Sequence, residues 1–93
     1  MDDKEVAELI DNIRKQMDFL LNDTSVPKNV KSAIKEAKDH LNTQEDYVVR
    51  VSSAIYNIDS ISNDINLPAQ ARTGVWSILS MLESIKTETT GSG

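Results

Sequence analysis

The chain has 93 residues, of which 39% are hydrophobic and 27% charged, as expected for one small globular domain. Its formal net charge of −5 argues against duplex binding, because phosphate contacts draw on a surplus of Lys and Arg. The chain has no cysteine, which excludes disulfides and thiolate metal sites and favours an intracellular compartment.

The first residues, Met1-Asp2-Asp3-Lys4-Glu5, lack the basic and apolar regions of a signal peptide. No run of the sequence approaches the ~20 apolar residues of a membrane span. We therefore expect a cytoplasmic protein with no membrane partner.

Four segments carry apolar residues three and four positions apart, which is the spacing of an amphipathic helix. The predicted helices cover about residues 3–21, 27–41, 44–61 and 68–86. Short connections between them predict an all-α fold, an antiparallel four-helix bundle that forms one domain over residues 1–86. Residues 87–93 lack the pattern and are expected to form a disordered tail.

Specific residues are expected to end and to begin these helices. Asn22 suits the left-handed conformation that ends a helix, and Ser25 or Asp23 is expected to cap the second helix, which Pro27 begins. In residues 42–45, a capping residue is followed three positions later by Glu, and this capping box predicts the start of the third helix.

The chain contains an internal repeat. Residues 22–31 and 63–72 share Asn-Asp, an apolar residue before a proline, and a cation four positions after that proline, with an offset of 41 residues. This is the spacing of a helix-pair repeat, so we predict two helical hairpins over about residues 3–41 and 44–86. Gly74 falls at the repeat position of Ala33, and two small residues there predict a close helix crossing.

Two families resemble these segments. Leu-Leu-Asn-Asp at 20–23 with Val-Lys at 30–31, and the equivalent residues 61–64 with Ala-Arg at 71–72, resemble the turn within HEAT repeats. Val-Pro-Lys-Asn-Val-Lys at 26–31 and Trp-Ser-Ile-Leu-Ser at 76–80 resemble the small archaeal proteins grouped as uncharacterised protein family 0147. That second resemblance implies an all-helical fold and an archaeal origin, and it implies no activity.

The sequence offers no catalytic, cofactor or metal site. His40 is the single histidine, and with Glu36 at i−4 it lacks the further ligands that close a coordination shell. We expect it to be a cation at a helix C-terminus or a plain surface residue. Since no nucleophile and base pair is in sight, we expect neither an enzyme nor a small-molecule substrate.

Four lysines lie three or four residues apart on one side of the second helix: Lys28, Lys31, Lys35 and Lys38. One interpretation is that they contact an anionic partner, which makes an RNA- or ribosome-associated protein the alternative function. The other is a solvated face balanced by neighbouring acids, as charge runs usually are.

Three apolar or aromatic residues of the second hairpin lie away from the apolar sides of their helices. Val49 and Tyr56 fall about 140° to 160° from the centre of the apolar side of the third helix, and Trp76 falls about 140° from Ala71 on the fourth. Their equivalents 41 positions earlier are charged: Glu8, Lys15 and Lys35. Residues 1–42 carry 16 charged side chains and residues 43–93 carry 9, so the second hairpin is the less charged half.

Depleted charge together with Trp and Tyr is typical of an association surface. We predict that this face binds a protein partner or a second copy in a homo-oligomer. The alternative is that another part of the chain covers these residues. Phe19, which also lies away from the apolar side of its helix, is a weaker candidate for the same role.

Overall fold

The computed structural model describes residues 2–90, with side chains described for residues 2–87. Four helices account for most of it: α1 Asp3–Leu21, α2 Lys28–Leu41, α3 Tyr47–Asp59 and α4 Ala69–Thr90. Within this part of the chain there is no strand, so the predicted all-α fold is confirmed. No helix in it is both long and apolar enough to cross a membrane.

The helices form a ring in which each packs on two others. α2 packs on α1 and α3, and α4 packs on α3 and α1, whereas no Cα atoms of the diagonal helix pairs lie within 8 Å of each other among the described residues. We call α1 and α2 the first hairpin and α3 and α4 the second. Because neighbouring helices run in opposite directions, the connections between α1 and α2 and between α3 and α4 lie at the same end of the bundle.

The core confirms the repeat at the level of individual side chains. Nine of the ten buried apolar residues in the first hairpin have a buried apolar residue 41 positions later. The equivalent pairs include Ile10 and Val51, Met17 and Ile58, Ile34 and Val75, and Leu41 and Leu82. The two hairpins therefore bury the same positions against each other, which is how a helix-pair repeat closes a core.

The turns that follow α1 and α3 also repeat their hydrogen bonds. Asp23 Oδ1 accepts the Ser25 backbone N–H at 2.9 Å, and Asp64 Oδ1 accepts the Asn66 backbone N–H at 2.8 Å. Such bonds from an aspartate to the backbone two residues on build a turn. The prediction that Ser25 or Asp23 caps α2 is therefore wrong, and Pro27 occupies the cap position without a side-chain bond.

Two further helix ends differ from their predictions. Asn22 has φ −91° and ψ −3°, so it ends α1 without the left-handed conformation that was expected. The capping box at residues 42–45 is also wrong, because α3 begins at Tyr47 after Asp46 and no side chain caps it. Instead, Arg50 Nη1 donates to the Leu41 carbonyl at 3.1 Å, and its guanidinium lies over the Tyr47 ring. That arginine closes the end of α2 from the neighbouring helix.

α3 is shorter, and α4 longer, than the sequence pattern indicated. α3 ends at Asp59, where the Ser60 hydroxyl donates to the Asn57 carbonyl and the Ser62 hydroxyl to the Asp59 carbonyl. Serine hydroxyls that satisfy the last carbonyls compete with continuation of the helix. α4 runs to Thr90, four residues into the segment predicted to be a disordered tail, and residues 91–93 lie outside the described part.

Gly74 lies where α4 passes α1. A Cβ placed on it would lie 3.4 Å from the nearest Leu20 methyl carbon, which is ordinary van der Waals contact. The helices are close at this crossing, as predicted, but an alanine would fit.

The two ends of the bundle differ in charge. At one end Asn29 Nδ2 donates to Asp64 Oδ2 at 2.8 Å and joins the two turns. Acids and cations are mixed there. The opposite end combines the start of α1 with the loop at 42–46 and carries most of the surplus acid: Asp2, Asp3, Glu5, Glu8, Glu45 and Asp46.

Candidate interaction surface

The structure places all three aromatic or apolar candidates of the second hairpin on its outside. Tyr56 is 79% exposed, Trp76 53% and Val49 44%. Val49 and Tyr56 are seven residues apart on α3 and share one face, directly opposite the buried Val51 and Ala54. No described part of the chain covers them.

Tyr56 borders a shallow groove between α2 and α3. The groove is lined by a histidine, a tyrosine and three uncharged polar residues: His40, Ser52, Ser53, Tyr56 and Asn57. The Asn57 amide donates to Glu36 Oε2 at 3.1 Å and ties α3 to α2 beneath the groove. Tyr56 therefore stands on a firmly packed part of α3.

Trp76 is held by the turn between α3 and α4. Its Nε1–H donates to the Ser62 carbonyl at 3.2 Å. That carbonyl is free to accept because α3 has already ended at Asp59. The indole is thus fixed at its polar edge while about half of its surface stays in water, an arrangement suited to an aromatic anchor.

Both helices of the second hairpin lack charge in their central turns. Residues 51–58 of α3 and 73–82 of α4 contain no Asp, Glu, Lys or Arg. Besides the two aromatic rings, the exposed positions in these stretches carry hydroxyls: Thr73, Ser77 and Ser80. Ser52 and Ser53 are half-buried. Charged side chains are found beyond the uncharged stretch of α4. Glu83 and Lys86 line the groove between the two helices, together with Ile55 and Thr87. We call the outside of these two stretches the uncharged face.

Two exposed apolar residues lie toward the turn end of the bundle. Phe19 is 75% exposed and borders a groove with Gln70 and Ala71 of α4, on the side of α4 away from α3. Ile65, which sequence reasoning missed, is 89% exposed between the two polar residues of the second turn. Its repeat equivalent is Thr24, so comparison of the two turns would have detected it. Neither residue lies on the uncharged face.

The four lysines of α2 do not form a row of equivalent free cations. Lys28 and Lys35 are exposed, whereas Lys31 is partly buried. Lys38 forms a short ion pair with Asp18 of α1. An ion pair at a helix interface uses this lysine within the chain and leaves a smaller cationic surface than the sequence spacing indicated.

Among the described residues, no three His, Asp or Glu side chains converge to form a cluster that could hold a metal ion. Two carboxyl groups have shifted pKa values: the Ser25 side chain lowers the pKa of Asp23, and the Asn29 side chain lowers that of Asp64. Both shifts arise from hydrogen bonds within or between the turns and serve the fold.

Two of the three arginines contact backbone carbonyls. Arg72 Nη2 lies 3.4 Å from the Asp64 carbonyl, and Arg50 is held at the end of α2. Their positions give both arginines a structural role at helix ends.

Comparison with known proteins shows which family the chain belongs to. The profile of the uncharacterised protein family UPF0147 matches residues 1–85. The chain belongs to that family. The resemblance to uncharacterised protein family 0147 is thereby confirmed.

UPF0147 relatives come from archaea. The protein MJ1419 of Methanocaldococcus jannaschii is 40% identical over 85 residues, which are 90% of this chain and 91% of the relative. A relative from Methanothermobacter thermautotrophicus is 44% identical over 80 residues, covering 85% and 78%. The names of these two UPF0147 proteins state no activity.

A solved structure supports the same fold. The crystal structure of the unknown function protein MMP1188 superposes with a TM-score of 0.80 at 40% identity, covering 86% of this chain and 92% of that one. The helical pair repeat is thus shared with an experimentally determined structure.

Proposed function

We propose that the protein is a small interaction module that binds another protein through the uncharged face of its second hairpin. One observation carries this proposal. In a chain with 27% charged residues, two adjacent helices present central stretches without any charge, and Tyr56 and Trp76 stand exposed beside them.

Burial of this face would be energetically favourable. Removing a charged side chain from water without a partner is expensive, whereas hydroxyls and ring edges can find new hydrogen bonds. The centres of protein interfaces are accordingly depleted of charge and enriched in Tyr and Trp. The uncharged face combines both properties, while the outer sides of α1 and α2 do not.

The first hairpin serves as an internal comparison. It buries the same positions as the second but carries Lys15 where Tyr56 stands and Lys35 where Trp76 stands. Core packing therefore does not require an aromatic residue at these positions. Their presence on the second hairpin alone supports a role outside the core.

The test exchanges residues between the equivalent positions. The immobilised wild type and the variants Tyr56→Lys, Trp76→Lys and Lys35→Glu are each exposed to a nuclease-treated extract of the source cells, and bound proteins are quantified by mass spectrometry. We expect a specific protein to bind the wild type and Lys35→Glu, and to be lost from both second-hairpin variants. Equal binding to all four proteins would refute the proposal.

A second capture from the untreated extract addresses the alternative partner. If binding occurs only before nuclease treatment and is lost in Lys35→Glu, then the α2 lysines contact nucleic acid and the uncharged face is not the binding site. Circular dichroism of each variant checks that the helical fold is intact.

A further inference from the structure

We propose that the occupant of the uncharged face is a second copy of this chain, bound with its helices antiparallel to those of the first. This proposal rests on the proposed function and specifies its partner. It follows from the distribution of charge, the dimensions of the molecule and the way in which Trp76 is held.

The uncharged face is the surface on which two copies can meet without repulsion. Each copy has a net charge of −5, so contact between charged surfaces places like charges side by side. Contact through the first hairpin would also bury charged side chains, because α1 carries the Asp11–Lys15 ion pair on its exposed side and α2 carries Lys35 and Glu36. Residues 51–58 and 73–82 carry no such groups and are compatible with themselves.

Because the two ends of the bundle differ in charge, the antiparallel arrangement of the two copies is favoured. Parallel pairing would place the acidic end of one copy, with Glu45 and Asp46 at the start of α3, beside the same end of the other. Antiparallel pairing places that end beside the turns, where Lys28, Lys31 and Arg72 lie among the acids. The long axis of 39 Å then separates the two acidic ends by several times the Debye length of about 8 Å.

Antiparallel pairing also has the symmetry that a homodimer prefers. A two-fold axis perpendicular to the helices makes both copies use one self-complementary patch. Each copy then contributes Tyr56 and Trp76 once, so every favourable contact occurs twice. A face that bears its own anchors is suited to this arrangement.

The size of the molecule indicates that both helices take part. Between Cα atoms the bundle measures 39 × 21 × 17 Å. A stable interface takes roughly 800 Å² of surface from each partner, which is on the order of one whole long side of this molecule. A single helix is too narrow, and α3 and α4 together are wide enough.

Trp76 is prepared for such contact. The hydrogen bond from Nε1 to the Ser62 carbonyl fixes the indole before any partner arrives. Side chains that are already ordered lose less entropy on binding, so a held ring contributes more to affinity than a free one. The early end of α3 thereby orients an anchor on the uncharged face.

The first experiment measures mass in solution. Light scattering coupled to size-exclusion chromatography, repeated over a wide range of protein concentration, should give twice the mass of one chain at high concentration. Tyr56→Lys and Trp76→Lys should raise the dissociation constant about tenfold or more, and Lys35→Glu should not change it. A wild type that stays monomeric at every concentration would overturn the proposal.

The second experiment locates the contact and uses the absence of native cysteine. Cysteine is introduced singly at Ser53, Thr73, Ser77 and Ser80, with Asn12→Cys and Ser32→Cys as controls at the positions equivalent to Ser53 and Thr73. Under mild oxidation, at least one of the second-hairpin variants should form a disulfide-linked dimer faster than both controls. Equal rates throughout would show that the copies do not meet on this face.

The third experiment tests the direction of pairing. An Ile65→Cys chain and a Glu45→Cys chain are mixed and treated with a short bifunctional maleimide. Antiparallel pairing predicts mixed cross-links between the two variants, and mostly same-variant cross-links would overturn it. A monomeric wild type that still loses a captured partner in Tyr56→Lys would refute the dimer and leave the interaction module standing.

Discussion

The two hairpins share a core and differ on the outside. At equivalent positions both bury an apolar residue, such as Leu41 and Leu82, and both turns close with the same aspartate hydrogen bond. On the exposed side the first hairpin carries lysines where the second carries Tyr56 and Trp76. Positions that agree serve the fold, and positions that differ are where the proposed interaction surface lies.

The largest effects are expected where the hairpins agree. Leu41 and Leu82 are both completely buried. Leu41→Ala and Leu82→Ala should each lower the free energy of unfolding by about 2–5 kcal/mol, and by similar amounts, because each removes the same side chain from equivalent sites. Urea denaturation followed by circular dichroism measures both. A large difference between the two variants would show that the core is less symmetric than its burial indicates.

A smaller effect is expected where only the second hairpin has a polar contact. Trp76→Phe removes the N–H that the Ser62 carbonyl accepts and keeps an aromatic ring. We expect the free energy of unfolding to fall by about 1 kcal/mol, the usual net value of one hydrogen bond. Ser77→Ala, on the neighbouring exposed position, is the control. No change in Trp76→Phe would mean that the bond does not hold the indole in solution.

Gly74 allows the second hairpin to be made more like the first. Gly74→Ala introduces the residue found at the equivalent position 33, and its Cβ would meet Leu20 at ordinary contact distance. We expect stabilisation of up to about 1 kcal/mol, since alanine restricts the unfolded chain and favours helix. Ala33→Gly should destabilise by a similar amount. A destabilised Gly74→Ala would place the helices closer together than they lie here.

The smallest effect is expected on the change of stability with falling pH. Hydrogen bonds lower the pKa of Asp23 and of Asp64 below the ordinary value of 3.8 in the folded chain. Their contribution to stability is therefore present above the unfolded pKa and is lost as the pH falls below 3.8 through the folded pKa. Urea midpoints measured from neutral pH downward should fall less steeply in Asp23→Asn and Asp64→Asn than in the wild type. Identical slopes would show that these carboxylates do not link folding to pH.

Much of the fold could be predicted because it depends on periodic patterns. The spacing of the apolar residues gave all four helices, and the bounds of α1 at residues 3 and 21 match the prediction. Helix ends were harder, because local rules compete there. Asp23 satisfies its own turn instead of capping α2, and Arg50 closes α2 from another helix. A contact across helices has no signal in neighbouring residues.

The candidate surface was partly predictable for the same reason. Helical periodicity showed that Tyr56 and Trp76 leave the core, and the structure exposes both. It did not show that Trp76 donates to Ser62, because this contact depends on where α3 ends. Ile65 was missed because it lies in a turn, where helical periodicity does not apply.

The ring of helices has a consequence for the order of the chain. Around the ring, the packing of α4 on α1 is the counterpart of the packing of α3 on α2, and only the latter pair is joined by the loop at residues 42–46. A circularly permuted chain that begins at α3, runs through α4 and a new linker into α1, and ends with α2 would bury the same side chains. The core therefore specifies which helices are neighbours around the ring. It does not specify which connection between helices is replaced by the chain termini.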